Sequence, residues 1–395
     1  MPDLVAASDR SAQSRAGVAL VSLTALAFGI TYSDHAPLIP LISADLGLDE
    51  LRAGLLSTAL FVMYMATTLL SIGAADRIGP KRAVGAGLIA AALGTALLAI
   101  GPTYAFALAG KALQGLGSAL AFISATRYIV GLYGGRRSHF ALGLYGAGFP
   151  LGSAVALVVM PSLATALGGW RPAIGLEAIV IGACAVAWWR APAVAHVPAP
   201  GNMFDALRCP NCWATFAQHA AGFGLAISAG TWITLYLLRE FSLPLALSGL
   251  LGAILLMVAV LARTAGGWLV AREHAPTKLV MRLGDLSIIA GVILLAVPGR
   301  PLPIALGGTV LVGLGVGLPY AAVFNTAAAS LRTAPAAAQG LAAMGGTFGV
   351  MVGAPAMGYA VQTYGFGAAW IFVGIVASAA LLVTFAMRGE EEISA

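Results

Sequence analysis

Two cations stand alone in long apolar stretches of this sequence. Lys111 is the only charge in 104–126, and Arg263 is the only charge in 245–270. Each lies about eight or nine residues from the nearest loop, roughly 12–13 Å along a helix. A charge that deep in a bilayer costs about 2.5–3.5 kcal/mol and faces a cavity or a partner. We expect the two to bind a small anion from opposite sides; the alternative is a structural role, paired with backbone carbonyls or Asp34.

The pair Asp34–His35 is the second candidate for chemistry. It interrupts the apolar sequence in TYSDHAPLIP, directly after the uncharged run 17–30. A carboxylate partly removed from water can hold a coupling proton, with His35 as its relay. This hypothesis requires the first apolar segment to continue through Pro37 and Pro40. Otherwise the pair lies solvated at the outer interface, about 28 Å along a helix from Arg15.

Several further side chains are candidates with ordinary structural alternatives. His219 lies about ten residues into its apolar segment, where it could bind substrate, relay a proton or only join helices. Four aromatic residues could line a cavity or simply pack: Tyr32, Tyr145, Trp232 and Tyr320. For the embedded Glu177 we expect a structural partner such as Arg171. Cys209 and Cys212 form one CxxC without a second, so we predict free thiols, no metal site and no cofactor.

The elements that must position these residues are membrane-spanning helices. The chain has 395 residues, 60% of them hydrophobic and 9% charged, whereas soluble domains are about one-quarter charged. Apolar runs long enough to cross a bilayer recur twelve times. The sequence therefore predicts an all-α protein with twelve transmembrane helices, the first retained rather than cleaved as a signal peptide. The approximate spans are 17–40, 53–75, 82–102, 104–127, 138–166, 172–190, 212–238, 245–270, 279–298, 303–326, 336–361 and 366–387.

The basic residues predict the orientation. Fifteen of the 21 Lys and Arg residues fall on the side of the termini and four on the opposite side. Because basic loops stay in the cytoplasm, both termini are expected there, in the plasma membrane of a bacterium, that is, its inner membrane. The net charge of +6 is then explained by the membrane topology and by attraction to anionic lipid headgroups. It gives no reason to expect nucleic acid as a partner.

The chain also divides and repeats. Residues 190–211 are rich in proline and polar residues, which predicts a cytoplasmic linker between bundles at 1–189 and 212–395. Glycines recur between the halves at an offset of 198 or 197, which favours a duplicated six-helix unit. The matched glycines are Gly115 and Gly117 with Gly313 and Gly315, and Gly143, Gly148 and Gly152 with Gly340, Gly345 and Gly349.

The loop SIGAADRIGPKRAV (71–84) resembles the signature loop of the major facilitator superfamily. Asp76, Arg77, Lys81 and Arg82 supply its charged positions, although Pro80 is inserted and the preceding glycine is shifted by one residue. The resemblance implies two pseudo-symmetric six-helix bundles around a cavity that opens alternately to each side. These four residues are then the expected conformational gate; alternatively, the basic ones only fix the topology.

The stretch RTAGGWL, which begins at Arg263, is similar to the eighth helix of nitrate/nitrite-type members of that superfamily. Their second arginine, in helix two, has no counterpart in 53–75, which leaves larger carboxylates, cyanate-like anions or a different solute open. The resemblance implies a monomeric secondary transporter, and we expect uptake of a small anion with protons. A drug/proton antiporter is the alternative, although its Gly-Pro pair is interrupted by Phe149. The sequence contains no HExxH or GxSxG motif, which disfavours a membrane enzyme, and the missing soluble domain disfavours a sensor.

Overall fold

The chain was analysed as a computed structural model, which describes residues 2–70, 78–133, 137–194, 203–272 and 275–394. Helices account for nearly all of this described part, and it contains no strand. Twelve helices or helix series are long and apolar enough to cross a membrane, which confirms the predicted all-α membrane architecture.

We number these twelve α1 to α12, and the segments of an interrupted helix share one number. In the first half, α1 comprises Pro2–Ser33 and Ile39–Leu46, α2 Glu50–Leu70, α3 Pro80–Ile100, α4 Tyr104–Tyr133, α5 Arg137–Ala166 and α6 Trp170–Trp188. In the second half, α7 comprises Pro210–His219 and Leu225–Phe241, α8 Leu245–Ala271, α9 Thr277–Ala296, α10 Leu302–Gly317 and Tyr320–Ser330, α11 Pro335–Tyr364 and α12 Phe366–Ala386.

The first span differs from its prediction in continuity and length. Its helix stops at Ser33, passes through a 3-10 turn at Ala36–Leu38, and resumes until Leu46. Pro37 and Pro40 explain the interruption, since proline lacks an N–H and disfavours the helical conformation in the residue before it. The apolar passage nevertheless continues past both prolines, so Asp34 and His35 lie at a break inside the span.

The matched glycines occupy equivalent helix contacts in the two halves. A Cβ on Gly115 would lie against the backbone of Leu60 in α2, and one on Gly313 would lie against that of Leu255 in α8. Three of the other matched pairs repeat the relation: Gly117 meets α3 and Gly315 meets α9, while Gly148 and Gly152 meet α1 and Gly345 and Gly349 meet α7. Helices this close need small residues at the crossing. By these contacts α1 to α5 correspond to α7 to α11.

The two halves meet along α2 with α11 and α5 with α8. At the end of the molecule opposite the termini, Arg239 Nη1 lies 2.7 Å from Glu50 Oε1. The backbone N–H of Leu51 donates to Gln362 Oε1 there, at 3.4 Å. These contacts tie the halves together at that end. The boundaries proposed at 189 and 212 stay predictions, because part of the linker lies outside the described residues.

Candidate functional site

Three of the described membrane helices are interrupted, and four of the predicted site residues lie at the interruptions. Asp34 and His35 separate the segments of α1. His219 ends the first segment of α7, where a π-helical stretch covers Ala220–Gly224, and Tyr320 begins the second segment of α10 after Pro319. Interrupted membrane helices free backbone groups for ligands and side chains, and π segments are frequent at functional sites.

At the break in α1, Asp34 and Lys111 form a fully buried ion pair. Lys111 Nζ lies 2.7 Å from Asp34 Oδ1 and donates to the carbonyl of Thr31 at 2.7 Å. Gln114 Nε2 donates to the other carboxylate oxygen at 2.9 Å. Asp34 and Lys111 are both 0% exposed. The positive charge of Lys111 is therefore already neutralised in this arrangement, which matches the alternative that we considered for it.

A polar chain leads from Asp34 to the second half of the molecule. The His35 backbone N–H and its Nδ1 lie 2.6 and 3.1 Å from Asp34 Oδ1. His35 Nε2 lies 2.9 Å from Ser57 Oγ on α2, and that hydroxyl lies 3.4 Å from Thr231 Oγ1 on α7. All of these side chains are buried. Asp34 is therefore not at a solvated interface in this structure.

In the second half, Arg263 is held differently. Its guanidinium carbon lies 4.3 Å above the centre of the Tyr320 ring. Within the described part of the chain it forms no hydrogen bond or ion pair, its Nε is buried without a partner, and the side chain as a whole is half-buried. Unlike Lys111, Arg263 keeps an uncompensated positive charge.

His219 joins the same cluster. Its ring centre lies 6.0 Å from that of Tyr320 and 5.0 Å from that of Phe324. His219 Nδ1 lies 3.1 Å from the carbonyl of Ala342, whereas the buried Nε2 has no partner. A histidine fixed through one nitrogen and free at the other can donate to or accept from a ligand. Arg263, His219 and Tyr320 therefore form one group, which we call the arginine cluster.

Aromatic side chains of the first half occupy a second group. Tyr32 stacks on Phe149 with 5.7 Å between the ring centres, and Tyr145 packs against Phe122 with 5.9 Å between the ring centres. The hydroxyl of Tyr145 is buried without a hydrogen-bond partner. The ring centre of Phe61 lies 6.1 Å from that of Phe223 in the π-helical stretch of α7, and Phe223 stacks on His219. This aromatic group and the arginine cluster are therefore continuous across the two halves.

Trp232 has a different environment. It is 0% exposed, and its indole Nε1 donates to the carbonyl of Ala354 on α11 at 2.8 Å. That contact ties α7 to α11 inside the hydrophobic core. The structure therefore separates Trp232 from the aromatic residues around Arg263.

Of the predicted gate, Asp76 and Arg77 lie outside the described residues. Lys81 Nζ donates to the carbonyl of Trp189 at 3.0 Å, which joins the start of α3 to the end of α6, and Arg82 is exposed. Cys209 Sγ lies 3.7 Å from the carbonyl of Ser330, and Cys212 is buried. The described residues contain no group of three or more side chains suited to a metal.

The expected partner of Glu177 was wrong. Arg171 instead pairs with Asp45, at 3.0 Å, and donates to the carbonyls of Ala99 and Gly101. Both carboxylate oxygens of Glu177 are buried without a hydrogen-bond partner. The physical reason is position: Arg171 lies in the first turn of α6, where the carbonyls at the end of α3 and the partly exposed carboxylate of Asp45 are within its reach.

Sequence reasoning missed Gln114, Ser57 and Phe122. Gln114 carried a usable signal, because it follows Lys111 by three residues and so shares its helix face. Ser57 and Phe122 gave no comparable signal, since small hydroxyls and aromatic residues are common inside membrane helices.

The comparisons with known proteins agree with this architecture. The sequence matches the Major Facilitator Superfamily over residues 20–338, and the chain belongs to that family of membrane transporters. It is 28% identical over 172 residues to a "Probable nitrate/nitrite antiporter NarK1" of Thermus thermophilus, a match that spans 40% of this chain and 39% of that relative.

Solved structures show the same fold. The structure is similar to a bacterial homolog of the human lysosomal transporter Spinster in its inward-facing, unoccupied form, with a TM-score of 0.75, 17% identity, and coverage of 95% and 96% of the two chains. The inward-facing, occupied form of a bacterial Spinster homolog gives a TM-score of 0.74 at 15% identity, covering 93% and 95%.

Proposed function

We propose that this transporter carries small monovalent anions by alternating access, with the arginine cluster as the anion site. The observation that carries the proposal is the Arg263 guanidinium, which has no acidic partner in the described part of the chain and lies over Tyr320. An uncompensated arginine inside a membrane protein is costly unless a ligand or water meets it. A carboxylate or other planar anion suits its flat, forked set of donors.

The charge balance favours one negative charge on the solute. Lys111 is neutralised by Asp34, so Arg263 contributes the free charge in this conformation. The aromatic group around Tyr32 and Tyr145 offers apolar surface and hydroxyls to the rest of the solute. Nitrate and nitrite appear in the name of a relative that matches only two-fifths of this chain, so they support an anion as the solute rather than a particular anion.

Coupling to protons is the second part of the proposal. The buried carboxylate network around Asp34 and His35 supplies groups that can gain and lose a proton inside the first half, and the chain through Ser57 reaches Thr231 of the second half. Uptake of an anion with a proton avoids carrying net negative charge against the membrane potential. We place the monomer in the bacterial inner membrane with both termini cytoplasmic.

A drug/proton antiporter is the second candidate, favoured by the aromatic residues between the halves. The free charge of Arg263 opposes it, because most substrates of such antiporters are expected to be cations that this charge repels. The two candidates therefore differ in the sign of the ligand.

A thermal-shift screen of purified protein separates them. The probes are sodium salts of nitrate, cyanate, acetate and benzoate, with choline and tetraphenylphosphonium chlorides as cations. We expect at least one anion to raise the melting temperature of the wild type and not of Arg263→Gln. Arg272→Gln is the matched control, since Arg272 is exposed at the end of the same helix. Stabilisation by cations alone would contradict the proposal.

A further inference from the structure

We propose that Glu177 of α6 is a proton-binding site of the first half, and that the Asp34–Lys111 pair controls its proton affinity. The proposal deepens the proton coupling proposed above and rests on it. Glu177 is 6% exposed, and neither of its carboxylate oxygens has a hydrogen-bond partner among the described residues. An ionised carboxylate without a donor is strongly disfavoured in such surroundings, so Glu177 carries a proton in this conformation.

Asp34 is in the opposite situation. It accepts hydrogen bonds from Lys111, from Gln114 and from the backbone of His35. Donors and a cation stabilise the ionised carboxylate. In this arrangement Asp34 therefore holds negative charge, and the proton belongs on the other carboxyl group.

The two carboxyl groups belong to one electrostatic cluster. Helix α6, which carries Glu177, packs directly against α1, which carries Asp34, so the charges of Asp34 and of its partner Lys111 act on Glu177 through the protein interior. Lys111 is one cation for two acids, so the cluster is neutral only while one acid keeps a proton. A proton on Glu177 satisfies this charge balance.

The other groups around α6 do not compensate Glu177. The helix packs against α3 and also against α5 and α1. Lys81 and Arg82 lie near the opposite end of α6, where the carbonyl of Lys81 accepts from the Trp188 indole. Arg171 is engaged by Asp45. The remaining titratable side chains described on these elements are Tyr32, Asp34 and His35 on α1, Tyr145 on α5 and Cys184 on α6.

The step is a simple proton exchange. When Glu177 loses its proton, its negative charge competes electrostatically with Asp34 for the single positive charge of Lys111, which weakens the bond between Lys111 and Asp34. Because Asp34 is linked through His35 and Ser57 to Thr231, that weakening reaches the contact between the halves. Proton release is thereby coupled to the arrangement of α1 and α7.

Infrared spectroscopy of the purified full chain tests the site without a solute, since the probe is the proton. A protonated carboxylic acid gives a separate C=O stretching band. We expect a band that disappears as the pH rises, that is absent from Glu177→Gln, and that moves in frequency but still titrates in Glu177→Asp. Asp285→Asn is the matched control: Asp285 is another buried acid, 2% exposed, held by Gln218 in the second half.

A second variant tests whether the Asp34–Lys111 pair controls the proton affinity of Glu177. In Asp34→Asn, Lys111 is free to compensate Glu177, so the band should titrate at a pH lower by about one unit, a tenfold change in proton affinity. The proposal is overturned if no band is lost in Glu177→Gln, if the band does not change with pH, or if Asp34→Asn leaves its midpoint unchanged. Anion-dependent stabilisation through Arg263 should persist in Glu177→Gln, so failure of the proton site and failure of the anion site give different results.

Discussion

The buried ion pair of Asp34 and Lys111 gives the sharpest prediction about stability. Removing one partner leaves an uncompensated buried charge, which costs about 3–5 kcal/mol. Lys111→Met strips Asp34 of its only lysine contact, and Asp34→Asn leaves Lys111 with the Thr31 carbonyl 2.7 Å away. At a pH where Glu177 keeps its proton in all four proteins, we expect each single variant to lose about 3–5 kcal/mol. The double variant should cost less than the sum of the two by about 2–3 kcal/mol, because it leaves no orphaned charge.

Reversible unfolding in mixed detergent micelles measures the free energy of unfolding of the wild type, the two single variants and the double variant. The matched control is Lys278→Met with Glu392→Gln, a pair at 3.1 Å whose carboxylate is half exposed. An exposed pair is worth about 0–1 kcal/mol, so its cycle should show little coupling. Additive costs at Asp34 and Lys111 would refute the reasoning that each neutralises the other.

Two further predictions concern packing and the closed end. Gly115→Ala places a methyl group against the backbone of α2 and should destabilise the protein by about 1–3 kcal/mol. Gly175→Ala is the control and should be close to neutral, because the position that its Cβ would take is open. The melting temperatures of the two variants test this difference. Glu50→Gln removes the ion pair with Arg239, whose side chain is 48% exposed while that of Glu50 is 20% exposed. Since a partly exposed pair is worth about 1 kcal/mol or less, the ratio of the forms that are closed and open at this end should change by about fivefold at most. Distances between spin labels on the exposed ends of α2 and α11 would report that shift, and a complete loss of the closed form would contradict it.

The fold could be predicted from the sequence because it follows from composition and period. Twelve apolar runs have lengths that a bilayer selects, and the glycine pairs mark crossings where backbones touch. The interruption of α1 was harder to place. Pro37 and Pro40 signal a break, but whether the chain then leaves the membrane or continues depends on packing against other helices.

The candidate site was predictable only in part. The cost of a charge in a membrane singles out Lys111 and Arg263, yet it cannot say which one has a partner. That answer depends on how α1 lies against α4, which brings Asp34 to Lys111 across 77 residues of sequence. The contact of Arg263 with Tyr320 likewise depends on the break in α10 at Pro319. Glu177 was assigned the wrong partner because proximity in sequence was a poor guide to the reach of Arg171.

Counterflow of a labelled anion into proteoliposomes tests the central claim most directly. The labelled solute is the anion that stabilises the wild type most in the thermal-shift screen. A charge-assisted hydrogen bond is worth about 1.5–3 kcal/mol, so Arg263→Gln should weaken the apparent affinity by about tenfold or more. Arg272→Gln, at the exposed end of the same helix, should transport like the wild type. Equal counterflow in Arg263→Gln and the wild type would contradict the assignment of Arg263 as the residue that binds the transported anion.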